Sequence, residues 1–393
     1  MSILGKQILI ATFTFPPQKN GVSHVVEAHA SGLSRLGYNI TVVTGKEPAR
    51  IEDALEGVKV RQFDTRGDGR CIHGGYGGDV SGYQDFVASF RGDLIICHCW
   101  QIWSTDLAIK SFARLHCPKV LVSHGVSARW LRKSLRGLVS WIEWKPYLSK
   151  MPAMMRKFDH VVTLADQNDS HDFYDRMLMD RIGYQKHSVI PNGVYMDRFD
   201  SAQVHAPEFR AKHNIGNKPM LLYVANYDLR KNQKMAVKAF IRAAIPEAVF
   251  VLIGSEINEY ARGVCSFTHR SGEAGRRVVL LENLSTEDIA AAYCAADLFL
   301  CSSRWELQPL MILEAMAAGK PFICTDVGCV RDFPGGIIVR NLKEMVLAIR
   351  NLAEDEPRRQ NLGRQGKAAV EDRYNWGKVV QQYDILIKKL CSY

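Results

Sequence analysis

Short apolar runs rich in β-branched residues recur along the first half of the chain. They are Gln7–Phe13, Asn39–Thr44, Lys59–Phe63, Leu94–His98, Val120–His124, His160–Thr163 and His187–Ile190. Runs of this length and composition predict strands. Val22–Leu36 and Thr105–Leu115 carry helical patterns between them. The rhythm then restarts. Met220–Val224, Ala248–Ile253, Val278–Leu281, Leu298–Cys301 and Phe322–Thr325 read as strands, and Asn232–Ile245 and Thr286–Ala295 as helices. Strands alternating with helices predict an α/β protein whose parallel sheets are covered on both faces. Two Rossmann-like domains are expected, residues 1–195 and 196–375. Tyr195–Lys218 is polar and irregular and reads as the linker. A last helix, roughly Trp376–Leu390, belongs to a C-terminal segment, 376–393. The chain shows no internal repeat beyond this rhythm and no low-complexity tract.

Composition narrows the class. The 393 residues are 47% hydrophobic and 23% charged, ordinary values for a globular protein. No run reaches the ~18 apolar residues of a membrane span. The N-terminal residues enter the first strand without a signal-peptide core, so a cytoplasmic location is expected. Ten cysteines are scattered, several inside apolar strands (Cys97, Cys301, Cys324), which suggests reduced core thiols. Cys97-His98-Cys99 has no second pair at zinc spacing.

The net charge of +10 favours anionic partners. Residues 129–157 carry Arg129, Arg132, Lys133, Arg136, Lys145, Lys150, Arg156 and Lys157 against one acid, Glu143. Trp130, Trp141 and Trp144 are interleaved, with Leu131, Leu135, Leu138, Val139 and Ile142 nearby. Such a stretch can lie on an anionic membrane surface, the favoured reading; the alternative is a solvated helix pair whose tryptophans are buried. Helix-turn-helix, RNA-recognition and zinc signatures are absent, so nucleic acid is not the expected partner. Gly-x-Gly-x-x-Gly does not follow the first strand, which disfavours a dinucleotide enzyme.

The densest chemistry lies in Arg304–Pro321. Glu306 falls in the loop after a predicted strand, and Glu314 about one turn into the following helix. Pro309 suits that helix's first turn and Gly319 its end. A helix start offers free N–H groups and partial positive charge to a phosphate. One carboxylate can accept hydrogen bonds from sugar hydroxyls and the other from a ribose.

This segment, with its tail Glu314-Ala315-Met316-Ala317-Ala318-Gly319-Lys320-Pro321, resembles the E-x7-E signature of retaining GT-B glycosyltransferases of the family 4 type. Further matches are Pro16–Gly21, Ser123-His124-Gly125, Val189–Val194 and Tyr223–Asn232, so the resemblance spans nearly the whole chain. It implies two domains facing across a cleft, an acceptor-binding N-terminal half and a nucleotide-sugar-binding C-terminal half. The last helix would return to the first domain. It implies metal-independent, retaining transfer from a UDP- or GDP-linked sugar to a hydroxyl acceptor, with no cofactor. His124 and Glu306 match the catalytic positions. Gly21, Lys231, Leu310 and Glu314 match donor-binding ones, with Asn226 and Gln308 as further candidate donor contacts.

The chain departs from the family at three places. Asn20-Gly21 stands for Gly-Gly. Asn226 occupies the position of a phosphate-binding arginine, for which Arg230 could compensate. Glu306-Leu307-Gln308-Pro309-Leu310 stands for Glu-Gly-Phe-Gly-Leu, and Pro309 removes one backbone donor from the phosphate cradle. With the basic segment, the expected acceptor is a lipid-linked glycan of bacterial surface polysaccharide, lipopolysaccharide O-antigen or capsule. The protein would act at the inner face of the cell membrane, with Arg132, Lys133, Arg136 and Trp141 on the membrane or acceptor face. A nucleotide-sugar epimerase of the same fold and a non-catalytic scaffold remain the alternatives.

Overall fold

The central strand runs are buried along their whole length rather than on alternate residues. Leu94–His98 and His160–Thr163 are wholly buried, as strands covered on both faces must be. The computed structural model describes residues 5–50, 55–126, 135–166 and 173–392. The chain forms two compact units, Met1–Asn192 with Trp376–Tyr393, and Gly193–Asn375.

In the first unit the order is β1 (Gln7–Ala11), α1 (Gly21–Arg35), β2 (Asn39–Gly45), β3 (Val58–Phe63), β4 (Thr65–Asp68), β5 (Gly75–Gly78), α2 (Val80–Ser89) and β6 (Leu94–His98). Then come α3 (Trp103–Ser111), β7 (Lys119–Val122), α4 (Leu135–Met155), β8 (His160–Thr163), α5 (Tyr174–Ile182) and β9 (His187–Val189). Seven strands form a parallel sheet ordered β3-β2-β1-β6-β7-β8-β9, and β4 and β5 pair as a separate antiparallel hairpin. The order reverses between β1 and β6, so the loops leaving those two strands diverge to opposite faces and open a crevice at their C-terminal ends.

The second unit runs α6 (Met196–Ala202), α7 (Ala206–Lys212), β10 (Met220–Val224), α8 (Gln233–Ala243), β11 (Val249–Gly254), α9 (Glu259–His269), α10 (Gly272–Arg276) and β12 (Val278–Glu282). It continues through α11 (Thr286–Ala295), β13 (Leu298–Cys301), α12 (Leu310–Ala317), β14 (Phe322–Thr325), β15 (Gly336–Val339), α13 (Leu342–Glu354) and α14 (Glu356–Ala369). Its six parallel strands are ordered β12-β11-β10-β13-β14-β15, with the reversal between β10 and β13. Residues 195–218, expected as an irregular linker, instead hold α6 and α7. Their buried Met196, Phe199 and Phe209 explain the correction, because two short helices seal an apolar edge without a long periodic signal.

The last helix, α15 (Trp376–Leu390), packs on α1 in the first unit. The two approach closely at Gly32, where an added Cβ would lie 2.4 Å from Val380 Cγ2. Tyr38 donates a 2.7 Å hydrogen bond to Asp384 across the same contact. His29 of α1 is enclosed there, its ring 4.2 Å from Tyr383 and 5.4 Å from Trp376, centroid to centroid. Neither ring nitrogen has a hydrogen-bond partner among the described residues. Burial pushes the imidazole down to about 3, so it stays neutral in the folded chain.

That depression has a predictable sign. The unfolded state binds a proton near pH 6.5 that the folded state refuses until about 3. Stability is therefore full above pH 6.5 and falls as the pH drops through that window, by on the order of 4 kcal/mol. His29→Leu leaves no unpaired ring nitrogen. It should flatten the acid limb of a melting-temperature profile between pH 7 and 4 without lowering the value at pH 7. An acid limb as steep as wild type would contradict this assignment.

Candidate functional site

The reversal between β10 and β13 brings two loops side by side, residues 225–232 and 302–309. Two bonds tie them: Ser302 Oγ donates to the Asn232 carbonyl at 2.8 Å, and the Arg304 N–H donates to the Arg230 carbonyl at 2.7 Å. Within the first arm, the Tyr223 hydroxyl of β10 donates to the Lys231 carbonyl at 2.6 Å. Asn232 accepts the left-handed conformation this needs, at φ 53°, which asparagine tolerates better than most residues. The outcome is an ion pair, Lys231 Nζ to Glu306 Oε1 at 2.6 Å, with the side chains 22% and 12% exposed. A charge-assisted bond this sheltered fixes both groups at the crevice mouth.

The Glu306 loop is buttressed from below. The Cys329 N–H donates to the Leu307 carbonyl at 2.8 Å. Gly328, at φ 52°, passes so close that a Cβ would lie 2.1 Å from the Leu307 oxygen. Leu307 and Gln308 are buried, so this loop's side chains set its path. Pro309 is the cap residue, and α12 begins at Leu310, one residue later than the expected proline in the first turn. The leading N–H groups of α12, starting with Leu310, lack intrahelical partners and carry the positive end of the helix dipole. Gly319 ends the element in the left-handed region at φ 67°.

Glu314 lies one turn into α12. Tyr293 of α11 donates its hydroxyl to Glu314 Oε2 at 2.8 Å. Burial first, and the adjacent carboxylate second, hold the Tyr293 phenol well above its usual range, so it remains a donor. Tyr293 carried no sequence signal, being one aromatic in an alanine-rich helix. Asp228 was also missed. Its carboxylate accepts from the Arg230 backbone N–H at 2.5 Å and faces the Arg230 Nε at 3.4 Å. Arg230 stays half exposed and is engaged by Asp228, while Lys231 reaches across to Glu306. Asn226 is exposed, and its carbonyl accepts from Gln233 Nε2 at 2.9 Å.

In the first unit the strand ends collect a second set of residues. Asn20 caps α1, its Oδ1 accepting from the Ser23 N–H at 3.0 Å while its Nδ2 donates to Thr14 Oγ1 at 2.7 Å. The asparagine in Asn20-Gly21 thus has a local structural cause, and Gly21 opens the helix. His98 ends β6 and His124 follows β7. Sequence favoured His124 of the two. The structure joins them, His98 Nδ1 to His124 Nε2 at 3.1 Å. Burial pushes His124 down to about 4, although the residue keeps partial exposure to solvent, and holds His98 well below the usual histidine range. The backbone after His98 is strained, with Cys99 and Gln101 at φ 70° and 62°. The Gln101 N–H is held by the Tyr147 hydroxyl at 2.8 Å, which in turn donates to buried Asp106 at 2.6 Å.

Of the basic segment, Arg132 and Lys133 lie outside the described residues, as do the Arg136 side chain and Trp130. On α4, Trp144 is buried in the core, its ring T-shaped on Tyr147 at 5.5 Å, so it is no surface anchor. Trp141 is half-buried, with Lys145 Nζ 5.2 Å from its ring centroid. Glu143, the stretch's single acid, is turned inward, where its carboxylate takes His73 Nδ1 at 2.5 Å and the His73 N–H at 3.1 Å. The exposed positions of α4 keep Leu138, Val139 and Ile142 toward one end and Lys145 and Lys150 further along, with exposed Arg156 and Lys157 just past the helix end. Among the described residues no helix is long and apolar enough to cross a membrane.

Residues 19–198 match the model of Glycosyltransferase Family 4, and residues 205–369 match that of Glycosyl transferases group 1.

The chain belongs to glycosyltransferase family 4. Its fold is GT-B. Over 98% of its length it superposes on sucrose-phosphate synthase from Thermosynechococcus elongatus (TM-score 0.80, 19% identity, 99% of that chain). Anabaena HepE, solved with UDP and glucose, superposes over the same share (TM-score 0.74, 16% identity, 100% of that chain). Among sequence relatives, the spore coat protein SA of Bacillus subtilis is 27% identical over 44% of this chain and 50% of its own length. The GDP-mannose-dependent alpha-(1-6)-phosphatidylinositol monomannoside mannosyltransferase of Mycobacterium tuberculosis is 26% identical over 52% and 54%. The lipopolysaccharide core biosynthesis mannosyltransferase LpsB of Rhizobium meliloti is 28% identical over 43% and 52%. The chain spans about half the length of each of these relatives.

Proposed function

We propose that this family 4 glycosyltransferase moves a sugar from a UDP- or GDP-linked donor to a hydroxyl of a lipid-linked glycan, with retention and without a metal. The observation that carries the reading is the Lys231–Glu306 pair at the β10/β13 reversal, with Glu314 eight residues on and one turn into α12. A diphosphate docked on the α12 N-terminus meets the Leu310 N–H and shares Lys231 with Glu306. Arg230, released from Asp228, adds the second cation that Asn226 cannot supply. Asn226 and Gln308 are further donor contacts, and Glu314 holds the ribose. In the reaction the bond from the anomeric carbon to the diphosphate oxygen breaks, the acceptor oxygen bonds that carbon, and the acceptor's proton passes to the departing diphosphate. Charge builds on the departing oxygen, where prepositioned cations and N–H groups act most strongly. Glu306 holds the sugar hydroxyls, His124 orients the sugar or the acceptor, and Gly21 lets the α1 loop approach the donor.

The acceptor assignment draws on α4. Its exposed side is apolar at one end and basic along the rest, with no exposed acid among its described side chains, a pattern suited to an anionic membrane. Arg132, Lys133, Arg136 and Trp141 extend that face in this reading, and the chain works at the inner face of the cell membrane. The lipopolysaccharide core mannosyltransferase and the phosphatidylinositol monomannoside mannosyltransferase among the relatives support lipopolysaccharide or capsule assembly as the class of process.

Two experiments test the reading. Nucleoside diphosphate release is measured from a panel of UDP- and GDP-hexoses, with vesicles bearing bacterial lipid-linked glycans as acceptor. Release with one donor, dependent on the vesicles, is expected. Release equal without acceptor would favour plain hydrolysis, and none with any donor would overturn the reading. For the membrane face, reversing Lys145, Lys150, Arg156 and Lys157 to glutamate should weaken binding to anionic vesicles by about 10³-fold or more, at about 1 kcal/mol for each cation lost. Unchanged binding would remove the membrane assignment and leave the donor assignment standing.

A further inference from the structure

His98 has no role in the reading above, yet it is the fully buried partner of the histidine that does. Its ring is clamped on one side by His29, 5.3 Å between centroids, and on the other by His124, Nδ1 to Nε2 at 3.1 Å. The clamp extends through His29 to Tyr383 and Trp376 of α15. The backbone is held as well, since Thr105 Oγ1 donates to the His98 carbonyl at 3.0 Å.

All three imidazoles are kept neutral by burial. A neutral imidazole has one N–H and one bare nitrogen, and the hydrogen bond made by one nitrogen decides the state of the other. The His98–His124 bond holds a single proton, so two arrangements exist. If His124 donates from Nε2, His98 accepts at Nδ1 and must carry its own proton on Nε2. That nitrogen is buried with no partner among the described residues. If His98 donates from Nδ1, its Nε2 is a bare lone pair instead. Orphaned buried N–H groups are rarer and costlier than under-satisfied acceptors, which selects the second arrangement.

We propose that His98 is a positioning residue that donates its Nδ1–H to His124 Nε2, fixing His124 as the Nδ1–H tautomer and making it a hydrogen-bond donor to an oxygen of the bound sugar or acceptor. His124 then cannot take a proton from the acceptor hydroxyl through Nε2, because that lone pair is occupied. The inference rests on the transferase reading for the nature of the oxygen, but the tautomer itself is a property of the unliganded chain.

The test is long-range ¹H–¹⁵N correlation of ¹⁵N-histidine-labelled protein at pH 7, with His124→Gln and His98→Asn used to assign the two rings. The expected result is a protonated Nδ1 and a bare Nε2 on both His98 and His124. A protonated Nε2 on His124, or a charged ring, overturns the proposal whatever the enzyme's activity. His98→Leu should turn His124 into a tautomer mixture and lower the transfer rate about tenfold, the scale of lost orienting partners, with the donor KM moved far less. His98→Asn, whose amide N–H can replace Nδ1–H, should recover most of that loss and the single tautomer. If His98→Leu does not fold, the Asn variant and the wild-type spectra decide. If wild type transfers no sugar from any donor, the function falls while the spectra still settle the tautomer.

Discussion

Glu306→Gln lowers the transfer rate by about 10²–10³-fold, the effect of losing one preorganised electrostatic contact at a transition state. The substitution keeps the shape of the side chain and removes its charge. Within the fold the carboxylate accepts the bond from Lys231 at 2.6 Å, which a glutamine oxygen still accepts. Folding should therefore survive, and the loss should appear in kcat more than in donor KM. Lys231→Ala acts on the other half of the pair. In the proposed reading it strips the diphosphate of its best-placed cation, and it leaves Glu306, 12% exposed, without that partner. The two changes touch one contact, so the double variant should lose less than the product of the single losses. Rates within about threefold of wild type for Glu306→Gln would place the chemistry elsewhere.

Glu314→Ala weakens binding of the nucleoside diphosphate by about 10–100-fold, the scale of hydrogen bonds to a charged group. The Tyr293 hydroxyl bonds Glu314 Oε2 at 2.8 Å, which in the proposed reading presets the carboxylate for a ribose. Tyr293→Phe should give a smaller loss of the same kind, because the carboxylate remains but loses the Tyr293 bond. Calorimetric titration of UDP and GDP against both variants checks the order wild type, Tyr293→Phe, Glu314→Ala. Equal affinities in all three would remove Glu314 from the ribose.

The alternation of strands and helices was legible because parallel strands covered on both faces read as continuous apolar runs, as at Leu94–His98. The segment Glu306–Glu314 was legible because its chemistry is local to one loop and one helix. What escaped lacked a local signal. The hairpin β4–β5 is built on glycine rather than on alternating apolar residues. At Gly67 a Cβ would lie 1.7 Å from the Gly75 oxygen, so the strand contact itself excludes the side chains that mark strands. The helices at 196–212 are too short for a periodic pattern. Tyr293 is 21 positions from Glu314, and Gly328 is 22 from Glu306, so only the folded sheet brings them together. His98 and His124 were each visible as strand-end histidines, but their bond spans 26 positions, and that bond is what distinguishes a pair from two separate candidates. Trp144 shows the converse. Its neighbours Lys145 and Pro146 are exposed, and only packing into the core cluster that also holds Trp100 and Leu107 of other elements turns it inward.

The central claim is that a nucleotide sugar binds the second unit at the β10/β13 reversal. Thermal stabilisation of the purified protein across UDP-, GDP- and ADP-sugars, with Glu314→Ala alongside, tests it most directly. A clear rise in melting temperature with one donor, lost in the variant, is the predicted result. No rise with any donor, or an equal rise in Glu314→Ala, would contradict it.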